Sequence, residues 1–279
     1  MKLRLKLALA ALALSTVGVS VALASIAAYP PPSTETAKGV FIVNCPFSHR
    51  KQVDPIVKPG PSGTLSAHMH DFMGNRSVDS NSTYASANAS ATTCSFSGDT
   101  AGYWVPTLVD PNGSFVTPRR ALVYYRNNPV KYGTTTPFPP DFRLIAGGVG
   151  TGPPNIGWSC ENGASSMVAT PASCGSSGLL VLHVKFPNCW DGARTDSPDH
   201  RSHVSYPTGS SCPASYPVKV PEIFLHVRFP PGASGPGYKL SDGTLTPHAD
   251  FWNVWQQAKL EQVVRDCLHA GINCGALSG

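Results

Sequence analysis

Proline and glycine interrupt this chain so often that short strands are the elements that fit best between them. The 279 residues include 27 prolines and 26 glycines. Runs of β-branched and aromatic residues lie between the interruptions, at 40–43, 103–109, 121–125, 142–146, 179–186 and 218–229. This pattern indicates many short strands joined by turns. We therefore predict a mainly β fold, an antiparallel β-sandwich or jelly roll.

Two of these runs carry a histidine between apolar positions. Residues 180–186 and 223–229 both alternate, which is typical of strands with one polar face, and we expect them to be neighbours in one sheet. His183 and His226 lie on that polar face. Because no second ionisable motif accompanies them, we interpret both as solvated or cross-strand-paired imidazoles.

Only the stretch 250–269 has helical spacing. Its apolar residues recur three and four positions apart, and Gly271 follows where a helix would end. Asp250 is then either the N-cap of this helix or a site residue, and the sequence leaves both readings open. The expected architecture is a single domain over 39–279 with one C-terminal helix.

The N-terminal segment has the form of a signal peptide. Lys2, Arg4 and Lys6 precede an apolar run of mostly small and aliphatic residues at 7–24, which is the order found in secretory signals. We assign 1–28 to the signal peptide, with a membrane anchor as the alternative, and 29–38 to a Pro-rich leader. No later segment is apolar enough to span a bilayer. An extracellular location is expected.

Eight cysteines in an oxidising compartment are expected to form disulfides that staple the domain. Many connectivities are open to eight cysteines. The pairs favoured by closeness in the sequence are Cys160 with Cys174, Cys189 with Cys212 and Cys267 with Cys274, leaving Cys45 with Cys94.

Net charge says little about partners. The formal charge is +5, and three of the basic residues belong to the predicted signal peptide. The remainder contains no basic tract, which argues against a nucleic-acid partner. We expect a monomer.

Ionisable residues are concentrated in three short segments, 66–72, 197–203 and 247–252, of a chain that is otherwise poor in charge. They contain five of the nine histidines. In an extended segment, residues two apart face the same way, so His68 and His70 would present two imidazoles on one face. Such a pair suits a metal ion, or a base with an orienting partner such as Asp71.

The sequence leaves open whether a metal is bound. We expect that the protein has either no cofactor or a single divalent metal ion. The histidines that would hold this ion are His68, His70, His200, His203 and His248.

Aromatic residues beside these segments suit the flat faces of sugar rings. Trp190 precedes Asp191, and Trp252 follows Asp250 and His248. The alternatives are core packing for the tryptophans and turn formation for Asp191 and Asp199. We take Trp190, Trp252 and His248 as candidate substrate-binding residues.

Several longer blocks carry a family resemblance. They include Asp54-Pro55-Ile56-Val57, residues 66–75, residues 98–106, Tyr124-Tyr125-Arg126, residues 186–192, residues 197–203 and His248-Ala249-Asp250-Phe251. Over about 41–267 the chain resembles the domain-of-unknown-function family DUF1996. The resemblance implies a secreted protein of the kind found in fungi and actinobacteria, with cell-wall or environmental glycans as its expected substrate or partner. It attaches no role to any residue. Asn75, Tyr125 and Arg126 match its blocks and are further candidates for substrate binding.

The leading hypothesis is a secreted polysaccharide-active enzyme, a glycoside hydrolase or a lyase. A glycosidase needs two carboxyl groups, for which we favour Asp199 and Asp71, oriented by His70 and His203. The other candidate catalytic residues are His68, Asp99, Asp191 and Asp250. A lyase would use His70 or His203 as base, Tyr125 as acid and Arg126 to neutralise an acidic sugar.

Two other functions remain open. One is a metal-dependent hydrolase in which a His/Asp site holds an ion that activates water. The other is a non-catalytic extracellular protein that binds glycan or cell wall, with the same clusters serving as hydrogen-bond networks.

Overall fold

The computed structural model of the protein describes residues 27–28, 39–127, 135–148, 150–152, 154–161 and 167–276. The predicted signal peptide, 1–28, and leader, 29–38, lie outside these residues except for 27–28. Among the described residues, no helix has the length and apolar character that a bilayer crossing requires.

Short strands are the main regular elements of the described chain, as predicted. They are β1 Ala27–Ala28, β2 Val40–Lys51, β3 His70–Gly74, β4 Gly102–Pro106, β5 Leu108–Val109, β6 Phe115–Val116, β7 Arg120–Arg126, β8 Arg143–Gly147, β9 Ile156–Cys160, β10 Leu179–Lys185, β11 Cys189–Trp190, β12 Val204–Ser205, β13 Val218–Lys219, β14 Glu222–Pro231, β15 Lys239–Leu240, β16 His248–Trp252 and β17 Asn273–Ala276. The helices are α1 Tyr84–Asn88 and α2 Gln257–Val263, and α2 continues as a π-helical turn, Val264–His269.

One large antiparallel sheet dominates the fold. Its strand order is β8-β16-β4-β3-β2-β7-β14-β10-β9, with β17 added parallel to β2 and β1 paired to β17. The sheet curls until β8 comes close to β10, so it is nearly a barrel. The predicted class, mainly β with antiparallel strands and one C-terminal helix, is confirmed.

The curled sheet packs two sets of side chains. Alternate residues, such as Phe41, Tyr103 and Leu182, fill the main core on the inner face. A smaller cluster on the other face of β3, β4, β8 and β16 includes Phe72 and Trp104. This second surface is called the outer face below.

All four predicted disulfides are confirmed. They are Cys45–Cys94, Cys160–Cys174, Cys189–Cys212 and Cys267–Cys274, with sequence separations of 49, 14, 23 and 7 residues. Each closes a local segment of the chain.

The predicted start of the C-terminal helix is wrong. Residues 248–252 form β16, which pairs with β4 on one side and β8 on the other, so Asp250 lies within a strand and is no N-cap. Pairing on both edges, with Phe251 and Trp252 suited to a strand, overrides the helical spacing. The end was predicted correctly, because Gly271 has a φ of +68° just beyond the last helical residue.

His183 and His226 lie directly opposite each other on β10 and β14, with ring centroids 4.4 Å apart. Of the two interpretations of these imidazoles, solvated or cross-strand-paired, the second is confirmed, and His183 is buried.

A hydrogen-bonded chain of buried polar groups crosses the main core. Trp255 Nε1 donates to the Tyr125 hydroxyl at 2.9 Å, the Tyr125 and Tyr103 hydroxyls bond each other, and the Tyr103 hydroxyl reaches Asp99 at 2.9 Å. Asp99 is fully buried, and this burial raises its pKa to about 8 despite the hydrogen bonds from Tyr103 and Ala101. Asp99 and Tyr125, both candidate site residues, therefore belong to the core.

Replacing Asp99 should change how stability depends on pH. Because the folded-state pKa lies above the ordinary carboxyl value, the folded protein holds a proton that the unfolded chain releases between about pH 4 and 8. Stability therefore falls as pH rises through this window. In Asp99→Asn, which cannot ionise, the free energy of unfolding should fall less between about pH 5 and 8. Denaturant unfolding of both proteins at several pH values measures this, and parallel curves would contradict it.

Candidate metal centre on the outer face

Three neighbouring strands bring two of the sequence motifs together. Trp104 of β4 pairs with Phe72 of β3 on one side and with Asp250 of β16 on the other. His70 and His248 each lie two residues before these partners, so they share the same face of the sheet. Both imidazoles therefore project from the outer face, although a strand lies between them.

The imidazoles and a carboxylate converge above this strand. His70 Nε2 lies 3.4 Å from His248 Nε2, which lies 3.7 Å from Asp250 Oδ2. The ring of His68 is 4.4 Å from that of His70 and 5.2 Å from that of His248, between centroids. One ligand atom from each of the three histidines can be chosen so that all lie within 4.8 Å of one another.

A second carboxylate reaches the same point from the loop after β2. Asp54 Oδ2 lies 3.9 Å from His70 Nε2. Its Oδ1 accepts the backbone N–H groups of Ile56 and Val57 at 3.1 and 3.0 Å, which fixes the carboxylate. Asp54, His70 and Asp250 form a second group whose ligand atoms lie within 4.8 Å of one another. His70 is common to both groups.

The orientation of His70 is set by the backbone. Its Nδ1 lies 2.8 Å from the carbonyl oxygen of Val53, where Nδ1–H donates. This hydrogen bond leaves the Nε2 lone pair directed into the cluster, which is how metal-binding histidines are commonly held.

Several polar atoms of this cluster have no hydrogen-bond partner. Among the described residues, both carboxylate oxygens of Asp250 and Nε2 of His68 are buried and unbonded. Asp250 and His70 are fully buried. A buried carboxylate without a partner is costly, so the arrangement lacks a positive group at its centre.

Burial sets the protonation of the cluster. It lowers the pKa of His70 well below its ordinary value, brings that of His248 to about 4, and lowers that of His68. The same loss of solvent raises the pKa of Asp54 and Asp250. The imidazoles are therefore neutral at pH 7 and offer lone pairs, the form that binds metals.

The separation of two imidazoles in this cluster suits a divalent transition-metal ion. Two imidazole nitrogens that each lie about 2.0–2.1 Å from a tetrahedral zinc ion are about 3.3–3.4 Å apart, and the Nε2 atoms of His70 and His248 are 3.4 Å apart. Imidazole and carboxylate ligands together favour ions such as zinc over calcium or magnesium.

A cavity of about 380 Å³ opens onto the cluster. Its volume lies within the range of small-ligand sites. The residues that line it are Asp54, Val57, Lys58, Ser66, Ala67, His68, Ile145, Arg201 and His248. Asp54, His68 and His248 thus face solvent-accessible space, whereas Asp250 lies beneath them.

The segment 197–203 borders this cavity, but its carboxylate serves the loop itself. Asp199 is exposed and accepts hydrogen bonds from the backbone N–H of Ser202 and Arg201, at 2.9 and 3.1 Å, and from the Ser197 hydroxyl at 2.8 Å. The Ser202 N–H and the Ser197 hydroxyl hold the pKa of Asp199 well below its usual range. Asp199 is thus a turn-forming residue.

The two histidines of that segment bond within it as well. His200 Nδ1 lies 2.8 Å from Asp196, and His203 Nδ1 lies 2.8 Å from the Ser197 hydroxyl. His203 is buried and packs against Phe142. In the part of the chain that the structure describes, neither belongs to the groups of converging ligand atoms.

Asp71 occupies the opposite face of β3 from His70. Its carboxylate forms a bidentate pair with Arg50, at 2.5 and 3.1 Å, and accepts the Thr107 hydroxyl. It is fully buried. Asp71 and Asp199, the favoured glycosidase pair, therefore have different partners: Asp71 pairs with Arg50, and Asp199 bonds within its own loop.

Asp191 begins the turn that follows β11, and Trp190 is the last residue of that strand. Asp191 accepts the N–H groups of Ala193 and Arg194 and pairs with the Arg194 side chain at 2.7 Å. Trp190 donates to the Arg194 carbonyl and packs edge-on against Phe142.

The remaining substrate-binding candidates are held inside the protein or by partners of their own. The buried side chain of Asn75 donates to two backbone carbonyls. Trp252 is buried and donates to Asp141 at 2.6 Å. Arg126 pairs with Glu222. Only His248 lies at the cavity.

Sequence reasoning missed Asp54 and Arg201 as site residues, although both lie in segments that it singled out. The only signal for Asp54 was its place in the block Asp54-Pro55-Ile56-Val57. An Asp before a Pro is also typical of an ordinary turn, so this signal did not indicate a site. Arg201 stood inside the densest ionisable segment.

Comparisons with known proteins identify a family but no individual relative. A family model described as "Domain of unknown function (DUF1996)" matches residues 54–255. No curated protein and no solved structure matches the chain. The matched range contains every residue of the cluster and its cavity.

Proposed function

The chain belongs to the DUF1996 family, and from its outer-face cluster we propose that it is an extracellular metal-dependent hydrolase acting on glycans. A divalent ion, most suitably zinc, would be held by His70, which is common to both groups of converging ligand atoms, with His68 and His248 from one group and Asp250 from the other. Asp54 stands beside the ion at the cavity.

The buried and unbonded carboxylate of Asp250 is the observation that carries this proposal. It lies 3.7 Å from an imidazole that is neutral at pH 7, and among the described residues no lysine or arginine forms a salt bridge with it, although the charge of Arg201 acts on it from farther away. Isolated buried charges are rare unless they are paired or bind a metal. A bound cation would give the carboxylate of Asp250 the positive partner that it lacks.

Asp250 and Asp54 have different roles in this proposal because they occupy different positions. Asp250 is fully buried below the histidines and serves as a ligand, whereas Asp54 lines the cavity with Oδ1 fixed by two backbone N–H groups. Asp54 Oδ2, which lies 3.9 Å from His70 Nε2, would take a proton from water. A bound ion would lower the pKa of that water and polarise the bond to be broken.

The reaction is a hydrolysis. Water loses a proton to Asp54, and the hydroxide attacks the electrophilic carbon of an ester or glycosidic linkage. The carbon–oxygen bond breaks, and the proton passes to the leaving oxygen. The four disulfides agree with an extracellular site of action, and cell-wall polysaccharides are the expected substrates.

Asp54→Asn and Asp250→Asn should separate catalysis from metal binding. We expect Asp54→Asn to keep its zinc and lose at least about 100-fold in kcat, within the usual range for a general base, because its amide still accepts the backbone N–H groups. Asp250→Asn should lose zinc and activity together. Zinc content by elemental analysis, and the release of acid and reducing ends from a panel of esterified and unesterified wall polysaccharides, measure this.

The matched control is Asp266→Asn, which alters an exposed carboxylate paired only with Arg265 and should behave as wild type. Chelation should stop hydrolysis, and added zinc should restore it. Hydrolysis that persists without metal would overturn the proposal. Zinc binding without product from any polysaccharide would replace hydrolysis with metal-dependent glycan binding.

A further inference from the structure

We infer that the substrate presents a carboxylate to Arg201, so the glycan is an acidic polysaccharide with uronic-acid residues. This inference rests on the proposed function, since it assigns the substrate class of the same cavity. The juxtaposition of the Arg201 guanidinium with the metal cluster carries it.

Arg201 lines the cavity together with Asp54, His68 and His248. Among the described residues its guanidinium makes one hydrogen bond, from Nη1 to the Ile145 carbonyl at 3.1 Å. Since a guanidinium carries five N–H donors in a planar fork, donors remain for a ligand. A carboxylate matches this fork in a bidentate geometry.

The loop holds Arg201 in place by its backbone. The Arg201 N–H donates to the Ser197 hydroxyl and to Asp199, both at 3.1 Å. His200 before it has a φ of +56°, in the left-handed region, and its carbonyl accepts the Ile145 N–H of β8 at 3.0 Å. Ser197, Asp199 and His200 are therefore positioning residues for Arg201. This role explains why polar groups are dense in a segment that contributes no metal ligand.

The charge balance of the cavity also favours an anion. Asp54 and Asp250 would offset a divalent ion. Arg201 and Lys58 also line the cavity, and among the described residues neither forms a salt bridge, although the charge of Arg201 also acts on Asp250. Asp242 accepts hydrogen bonds from Thr244, and its negative charge acts on His68 and His248, so it also counts in this balance. An ion with two positive charges, Arg201 and Lys58 together would still exceed the three aspartates by one charge. A ligand with a negative charge would complete the balance.

Binding of uronic-acid oligomers to the zinc-loaded full-length protein tests this inference. The probes are an oligogalacturonate, its fully methyl-esterified form and a sulfated neutral oligosaccharide, all measured by calorimetry. We expect the acidic oligomer to bind at least about 10-fold more tightly than its ester. Arg201→Gln should weaken acidic binding about 10- to 100-fold, the range for losing hydrogen bonds to a charged group, and leave ester binding unchanged.

The matched control is Arg194→Gln, an exposed arginine that bonds the same loop at the Ser202 carbonyl but does not line the cavity; it should bind as wild type. Arg201→Lys keeps the charge without the fork and should fall between wild type and Arg201→Gln. Zinc content and melting temperature of each variant show whether the fold and the ion are retained.

The outcomes separate this inference from the proposed function. Equal binding of acid and ester, or an equal effect of Arg201→Gln on both, would overturn the acidic substrate while leaving metal-dependent hydrolysis intact. Preferential binding of the sulfated probe would replace the carboxylate with a sulfate. If hydrolysis proves independent of metal while Arg201 still selects the acid, the proposed function fails and the anion site stands.

Discussion

His70→Ala should abolish zinc binding, and with it the stabilisation that zinc gives. His70 contributes to both groups of converging ligand atoms, and its Nε2 is directed at their centre by the Val53 carbonyl. Loss of an outer partner of a ligand typically costs 10- to 100-fold in metal affinity, so loss of the shared ligand itself should cost more than about 100-fold.

Thermal unfolding gives the readout. Zinc at about 100 times its Kd stabilises a protein by about 2.7 kcal/mol, which corresponds to a rise in Tm of about 5–10 °C for a domain of this size. We expect this rise in the wild-type protein and its absence in His70→Ala. Binding by calorimetry measures the affinity directly.

His203→Ala is the matched control. It also removes a buried, hydrogen-bonded imidazole, but one that lies outside the cluster and bonds the Ser197 hydroxyl, so it should lower the Tm of the metal-free protein and keep the zinc-induced rise. A zinc-induced rise in His70→Ala equal to that of wild type would rule out the proposed centre.

Arg50→Met should destabilise the fold by about 3–5 kcal/mol, the usual cost of leaving a buried charge unpaired. Asp71 is fully buried, and Arg50 supplies its only ionic partner among the described residues, with two hydrogen bonds at 2.5 and 3.1 Å. The Thr107 hydroxyl alone would remain on the carboxylate. The expected fall in Tm is roughly 6–20 °C.

Two further variants test the reason for this loss. Arg50→Met combined with Asp71→Leu removes both charges and should recover most of the stability, since buried ion pairs are often replaceable by apolar pairs. Arg194→Met breaks an exposed pair with Asp191 and should cost at most about 1 kcal/mol. Equal losses for Arg50→Met and Arg194→Met would show that the buried pair is not what matters.

The strands were predictable because their signals are local. Turn residues and β-branched runs mark each strand independently, and the cysteine pairs follow from closeness in the chain. The start of the C-terminal helix was not predictable, because 248–252 becomes a strand only through its pairing with β4 and β8. Local spacing carries no information on those neighbours.

The site was half predictable. Alternation along a strand predicts that His68 and His70 share a face and that His248 and Asp250 share another. It also places Asp71 opposite His70, which weakens Asp71 as a partner of that histidine. Alternation cannot predict that Trp104 pairs with both Phe72 and Asp250. This pairing puts the histidines of β3 and β16 on the same face of one sheet. Asp54 depends on the path of a loop and carried no distinguishing signal.

The short reach of the disulfides has a consequence for how the molecule is held together. The longest of them links residues 49 apart, whereas His70 and His248 are 178 apart in the chain. An ion bound between them would link the first third of the sequence to the last, in addition to strand pairing and to hydrogen bonds such as those from Asn88 to Val254 and Trp255. Reducing agents would then remove links within local segments, whereas a chelator would remove a link between distant parts of the chain. Limited proteolysis should distinguish the two treatments by the size of the fragments that are released.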